Sequence, residues 1–168
     1  SFTIRKMANL SVAIAGNIGG TVSVDPKRDQ YVPSESVTLN AIPGEGFVFG
    51  GWSGSLSGSN NPLTFTVETN RAVIATFKDT GKPVLSWLTP QAGITGNEQV
   101  RFTGAITDNA VVTEASWRRD SGSTNPITLG QNGVFSIDGI TLAVGTNQFT
   151  IEARDAAGNT VSELRTVV

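Results

Sequence analysis

The side chains that could do chemistry here are limited by two absences. The chain has 168 residues, with no His and no Cys. Without His it lacks the commonest general base and the commonest transition-metal ligand. Without Cys it has no disulfide staple. What remains is carboxylates, amides, hydroxyls, three Trp and one Tyr. Asp108 and Asn109 follow one strand-like run, and Asp155 and Asn159 follow another. One reading makes them oxygen ligands of Ca²⁺, a hard cation that takes six to eight. The other has Asp and Asn bonding to nearby backbone N–H groups and fixing the turns, with Gly158 at a positive φ. Two carboxylates on separate loops are too few to define a site, so no metal ligand is assigned.

The other carboxylates, Glu35, Glu45, Glu68, Glu98, Glu114 and Glu152, are scattered and form no glycosidase dyad. Glu68 alternates with Val67 and reads as a solvent-facing strand residue. Gly54-Ser-Leu-Ser-Gly58 has the outline of a nucleophile turn, but no helix pattern follows it and no His can serve as base. A Lys–Asn isopeptide crosslink needs a buried Lys. Lys6, Lys27, Lys78 and Lys82 all sit at turns or ends. The expectation is therefore no enzyme, no catalytic residue and no cofactor. Exposed aromatics would stack on sugar rings, and Tyr31, in the loop before Pro33, is the one expected to be most exposed. One loop Tyr is not a stacking platform.

The elements that must position these residues are short strands. Apolar residues make up 38% and charged residues 15%, both low, while Gly is high at 19. Thr, Val, Ile and Phe alternate along the chain between Gly, Pro, Asn and Asp, which is the pattern of strands and turns. No window holds a helical period. The net charge of −2 offers no basic stripe for phosphates, so no nucleic-acid partner is expected. No stretch approaches the roughly 20 apolar residues of a membrane span, and there is no signal peptide. A start at Ser1 and an end inside a strand-like run read as a fragment of a longer protein.

In the first half, Leu10, Val12 and Ile14 face one way, and Val22 and Val24 follow across the Gly-rich turn 16–20, which reads as a hairpin. Further strands are expected around 37–41, 47–52, 63–67 and 73–77, and an additional one from the alternation of Phe2 and Ile4. Lys78-Asp-Thr-Gly-Lys-Pro83 is a composition break, which divides the chain into domains 1–79 and 83–168. The second half holds seven candidate strands: 84–88, 99–106, 111–119, 127–129, 134–137, 146–154 and 160–167.

Several blocks carry a resemblance: Asn9-Leu-Ser-Val-Ala-Ile, Gly19-Gly-Thr-Val-Ser-Val-Asp-Pro, Gly46-Phe-Val-Phe-Gly-Gly-Trp-Ser-Gly, Asn61-Pro-Leu-Thr-Phe-Thr-Val and Ala72-Val-Ile-Ala-Thr-Phe-Lys78. In order and spacing they resemble one unit of the divergent InlB B-repeat family, all-β modules strung along large bacterial surface and secreted proteins. The resemblance implies a small twisted sheet related to the β-grasp, with Trp52 in its core. In the second half, Val100-Arg-Phe-Thr-Gly-Ala-Ile-Thr-Asp-Asn109 and Gly145-Thr-Asn-Gln-Phe-Thr-Ile-Glu-Ala-Arg-Asp155 are similar to bacterial immunoglobulin-like domains. That implies a β-sandwich with Trp117 in its core, in phase with Val111, Thr113 and Ala115. It also puts the Asp108 and Asp155 loops at one end. Trp87 is expected as core or inter-domain anchor.

The fold expected is all-β: a B-repeat module followed by an immunoglobulin-like sandwich. The function expected is a non-catalytic extracellular module of a bacterial secreted or surface protein, a structural spacer or adhesion segment. Its partners would be neighbouring domains, a polysaccharide or a surface protein. The alternative is a carbohydrate-binding accessory module of a polysaccharide-degrading enzyme.

Overall fold

The computed structural model describes residues 6–90, 93, 96 and 98–168. The chain divides into two compact units, one ending at Thr80 and the next beginning at Gly81. Regular structure among the described residues is strand throughout, apart from the short 3-10 turns Ala15–Asn17 and Gln131–Gly133. The protein is all-β. The strand considered over Phe2 and Ile4 lies outside the described residues.

The first unit contains β1 (Leu10–Ile14), β2 (Gly20–Asp25), β3 (Glu35–Pro43), β4 (Phe47–Gly54), β5 (Leu63–Val67) and β6 (Arg71–Asp79). They form two three-stranded sheets, β1-β6-β4 and β2-β3-β5, where one small sheet was expected. The hairpin expected between β1 and β2 does not exist. β1 runs parallel to β6, and β2 pairs antiparallel with β3. The alternation of Leu10, Val12, Ile14, Val22 and Val24 does mark their inner faces, since all five pack on one core. Alternation reports which face is buried but not which strand lies alongside. Val37, Leu39, Ala41 and Val67 from one sheet meet Trp52, Val73, Ala75 and Phe77 from the other. At Gly20 a Cβ would run into the Phe77 ring and the Ile42 carbonyl, so glycine lets the two sheets approach here.

The second unit contains β7 (Val84–Thr89), β8 (Gln99–Thr107), β9 (Val112–Arg119), β10 (Asn125–Pro126), β11 (Val134–Thr141), β12 (Asn147–Asp155) and β13 (Thr160–Val167). Its sheets are β11-β8-β7 and β10-β9-β12-β13. The steps from β8 to β9 and from β11 to β12 cross between sheets, as in an immunoglobulin-like sandwich. Phe102, Ile106, Phe135, Phe149 and Ile151 fill the space between the sheets, each 2% exposed or less. Each such side chain contributes about 1.5–3 kcal/mol by leaving water.

Two local expectations fail in this unit. Residues 127–129 form no strand. On its side away from β12, β9 pairs instead with the two-residue β10, and the Ile127 N–H donates to the Ala115 carbonyl just beyond it. Ile127 and Leu129 still pack against the core from the following irregular segment. Val111 is not in phase with the core but 67% exposed, because the register between β12 and β9 shifts at Thr113. That extra residue turns Val112 inward, and the Thr113 hydroxyl donates to the carbonyls of Arg154 and Asp155.

A Cβ at Gly104 would meet the Ser86 carbonyl and the Phe135 ring. Gly104→Val is expected to destabilise by about 2–3 kcal/mol through overpacking. Val144→Ala, at a fully exposed position, should stay within about 0.5 kcal/mol. Urea unfolding of both variants beside wild type measures the contrast.

Candidate functional site

β8 ends just before Asp108, and β12 ends on Asp155. The sandwich brings these two strand ends together, so that carboxylate oxygens of Asp108 and Asp155 lie within 4.8 Å of one another. Asp108 accepts the Ala110 N–H at 2.8 Å, an Asx-type turn. Its other oxygen is buried and accepts no hydrogen bond from the described residues. Asp155 is 1% exposed and uses both oxygens on Asn159. One accepts the backbone N–H and the other the side-chain amide, each at 2.8 Å. Gly158 takes φ +94 between them, as the turn requires. Asn109 is exposed.

Burial acts to raise the Asp155 pKa. The Asn159 side-chain amide and the backbone N–H groups of Asn159, Gly158 and Ala157 outweigh it, and hold the carboxyl below its ordinary value of 3.8. Of the two readings of this cluster, turn fixing therefore has its hydrogen bonds in place.

The aromatic side chains face inward. Trp52 is 4% exposed, donates its indole N–H to the Asn60 carbonyl at 2.8 Å and stands 5.0 Å from Phe49 between ring centroids. Trp117 and Trp87 are half-buried against the second core. Trp117 lies 6.3 Å from Phe149. Trp87 lies 5.8 Å from Phe102, with the Arg165 guanidinium 4.9 Å over its ring. Tyr31 corrects the expectation of an exposed loop aromatic. It is 1% exposed, its hydroxyl donates to the Pro26 carbonyl at 2.9 Å, and its backbone pairs with Ala8. The loop folds back on itself, so Tyr31 plugs the first core. Among the described residues no aromatic side chain is exposed.

Several of the remaining carboxylates and hydroxyls have structural partners. Glu35 pairs with Arg28 and accepts the Val32 N–H. Glu68 accepts the Ser34 hydroxyl at 3.1 Å. Ser55, in the rejected nucleophile-like turn, exchanges bonds with Ala72: its N–H donates to the Ala72 carbonyl and its hydroxyl accepts the Ala72 N–H. Lys6, Lys27, Lys78 and Lys82 are all exposed. Outside the Asp108–Asp155 cluster, no group of described residues forms a nucleophile–base or paired-carboxylate constellation. Among the described residues no helix is long and apolar enough to cross a membrane.

Two residues were missed by sequence reasoning. Asn61 accepts the Ala41 N–H at 2.8 Å and donates to the Ala41 carbonyl at 2.7 Å, so its side chain extends the β3–β5 ladder in place of backbone. Asn147, 1% exposed, accepts the Ala143 N–H and donates to the carbonyls of Ala143 and Gly145. Their only sequence signal is an amide immediately ahead of an apolar alternating run. A surface groove of about 670 Å³ lies on the outer face of the four-stranded sheet. Glu114, Ser116, Glu152, Arg154 and Ser162 line it, with Pro126 at its side.

Residues 10–81 match the family model of the divergent InlB B-repeat domain. The B-repeat match runs from the first residue of β1 past the end of β6, and so takes in both sheets of the first unit. Trp52 and the Gly50–Gly51 irregularity of β4 fall inside it. No curated protein matches the chain. Among solved structures, one described as Clostridium thermocellum CbhA fibronectin(III)-like modules is similar over 88% of this chain and 93% of that chain, with 11% identity and a TM-score of 0.40.

The depressed pKa of Asp155 has a consequence for stability. A carboxyl whose folded pKa lies below its unfolded value stabilises the fold above the unfolded pKa. It loses that contribution as the pH falls through the folded value. Wild type is expected to exceed Asp155→Asn in stability at pH 7, and the gap should close progressively below about pH 4. Urea unfolding of both chains at neutral and acid pH tests this. Parallel pH profiles would rule Asp155 out as the source.

Proposed function

We propose that the chain is a non-catalytic extracellular module of a large secreted or surface bacterial protein, acting as a structural spacer or adhesion segment. The observation that carries this reading is the inward placement of the aromatics. Trp52 and Tyr31 are core residues, and Trp87 and Trp117 pack on the second core. A sugar-binding face needs coplanar exposed rings, and no described aromatic is exposed. The B-repeat match over residues 10–81 supports a bacterial surface or secreted context. The modules of this proposal are a B-repeat-like domain over 1–79 and an immunoglobulin-like sandwich over 83–168, joined by a short connection and each with its own core. Their partners are neighbouring domains of the parent protein, with no nucleic acid and no membrane insertion.

The alternative, a carbohydrate-binding accessory module, would have to act through the outer groove beside Glu114, Glu152 and Arg154. That groove offers hydroxyl, carboxylate and guanidinium groups without a stacking ring.

Intrinsic Trp fluorescence separates the two. The spacer reading expects blue-shifted emission, slow acrylamide quenching with the residual quenching from Trp87 and Trp117, and no change on adding soluble polysaccharides or Ca²⁺. A polysaccharide that shifts the emission or protects a Trp would replace the spacer by the carbohydrate-binding module.

A further inference from the structure

Every open sheet has two edges, and an edge strand presents a row of backbone N–H and C=O groups that can template pairing with another chain. Most edges here are guarded. β4 carries a register shift between Phe49 and Gly51, and Gly58 bonds back to Trp52 in both directions. β7 is shifted between Trp87 and Thr89, and β11 between Ile137 and Ile140. β11 also carries Asp138, paired with Arg101. β10 is two residues long and includes Pro126. β13 is bridged near its end by Gly93, which pairs with Val167. β2 ends on Asp25. β1 is uncharged, but Lys27 and Arg28 line the opening beside Leu10 and Val12.

β5 is different. It pairs with β3 alone, and it is Leu63-Thr64-Phe65-Thr66-Val67, without charge, proline, glycine or bulge. Its polarity is symmetric about Phe65: apolar, Thr, Phe, Thr, apolar. Thr64 and Thr66 point outward and are exposed, while Leu63 and Phe65 point toward the core and stay half-exposed at its open side.

We propose that β5 is a self-complementary docking edge whose partner is the β5 strand of a second copy of this chain. The two strands pair antiparallel about a two-fold axis through Phe65. That register sets Leu63 opposite Val67 of the second copy, Phe65 opposite itself and Thr64 opposite Thr66, so both faces match like with like. No other antiparallel register of this strand with itself keeps all five positions paired. The outward face already carries a hydroxyl row: Thr38 and Thr64 hydrogen-bond at 2.8 Å, and Ser36 lies opposite Thr66. Pairing across the axis continues that row into the second copy and joins two three-stranded sheets into one of six. On the inner face it covers the flanks of Leu63 and Phe65. A symmetric dimer is the natural outcome of a self-complementary patch. Five residues make a small interface, so the association is weak, on the order of 100 µM or weaker. It becomes significant where copies are held close together.

Sedimentation equilibrium of the whole chain, in a concentration series reaching about 1 mM, tests the proposal. The mass is expected to rise from 17.6 kDa toward twice that value. Thr64→Lys with Thr66→Lys places like charges opposite one another at both symmetric positions, and should weaken the dimer at least about tenfold. Thr64→Lys with Thr66→Glu places opposite charges in the same two positions, and should recover affinity to within about threefold of wild type. Circular dichroism checks that both variants fold. A second readout needs no variant: amide exchange at 63–67 in wild type should slow as concentration rises. Three results would overturn the proposal: a wild type that stays monomeric throughout, amides at 63–67 indifferent to concentration, or a charge-swapped pair that folds yet associates no better than the double lysine.

Discussion

With no cysteine anywhere in the chain, each unit depends chiefly on the mutual burial of its sheet faces. Each sheet has one apolar face, and a unit of about 80 residues can bury only a modest core. The requirement that both faces meet therefore governs the rest. It puts glycine at Gly20, where a side chain would hold the sheets apart, and at Gly104, where one would run into the neighbouring strands of its own sheet. It draws in large rings, with Trp52, Phe77 and Tyr31 in one core and Phe102, Phe135 and Phe149 in the other. It also makes unsatisfied polar groups at the sandwich ends costly. Asn61, Asn147 and the Asp155–Asn159 pair each occupy such an end and bond to backbone that a strand no longer reaches. A disulfide-bonded domain of this size can tolerate looser ends, because its crosslinks restrict the unfolded chain.

The same requirement explains what could be read in advance. Alternation along Val37-Thr-Leu-Asn-Ala and Val73-Ile-Ala-Thr-Phe follows from the two-residue period of a strand, so the inner faces were legible residue by residue. Strand partners were not, because pairing is a property of two distant segments. β1 and β2 look like a hairpin locally, yet each joins a strand that arrives later, β6 and β3. The bulge at Thr113 was hidden for a related reason. An inserted residue shifts the phase of Val111 and Val112 without changing either residue's character. Tyr31 failed because charged and polar neighbours, Arg28, Asp29 and Gln30, suggested an exposed loop. Its burial depends on a backbone bridge to Ala8, more than twenty positions away. For the loop-end cluster, the residues of Asp108, Asp155 and Asn159 were legible. The division of labour among them, with Asn159 engaging both oxygens of Asp155, was not.

Function follows from which groups are already occupied. An active site keeps polar groups unpaired or strained so that a substrate can complete them. Here three of the acidic and hydroxyl groups weighed as catalytic parts are engaged in the fold: Ser55 clips β6, Glu35 holds Arg28, and Glu68 holds Ser34. The aromatics that would stack on a sugar are occupied against Phe49, Phe102 and Phe149. Beside the polar groove of the second unit, what such a molecule offers to a partner is backbone, at the borders of its sheets.

Backbone at a sheet border discriminates poorly on its own, since every extended peptide carries the same N–H and C=O groups. Selectivity has to come from the side chains flanking it and from guards on the competing edges. The contrast between β11, with Asp138 and a register shift, and β5, with two threonines about a central Phe65, is of that kind. A charged edge rejects its own copy or demands an opposite partner. An uncharged edge symmetric about its centre accepts its own copy in a single register. On the proposed reading, a module without stacking groups still associates selectively, through the placement of charge on some edges and its omission from one.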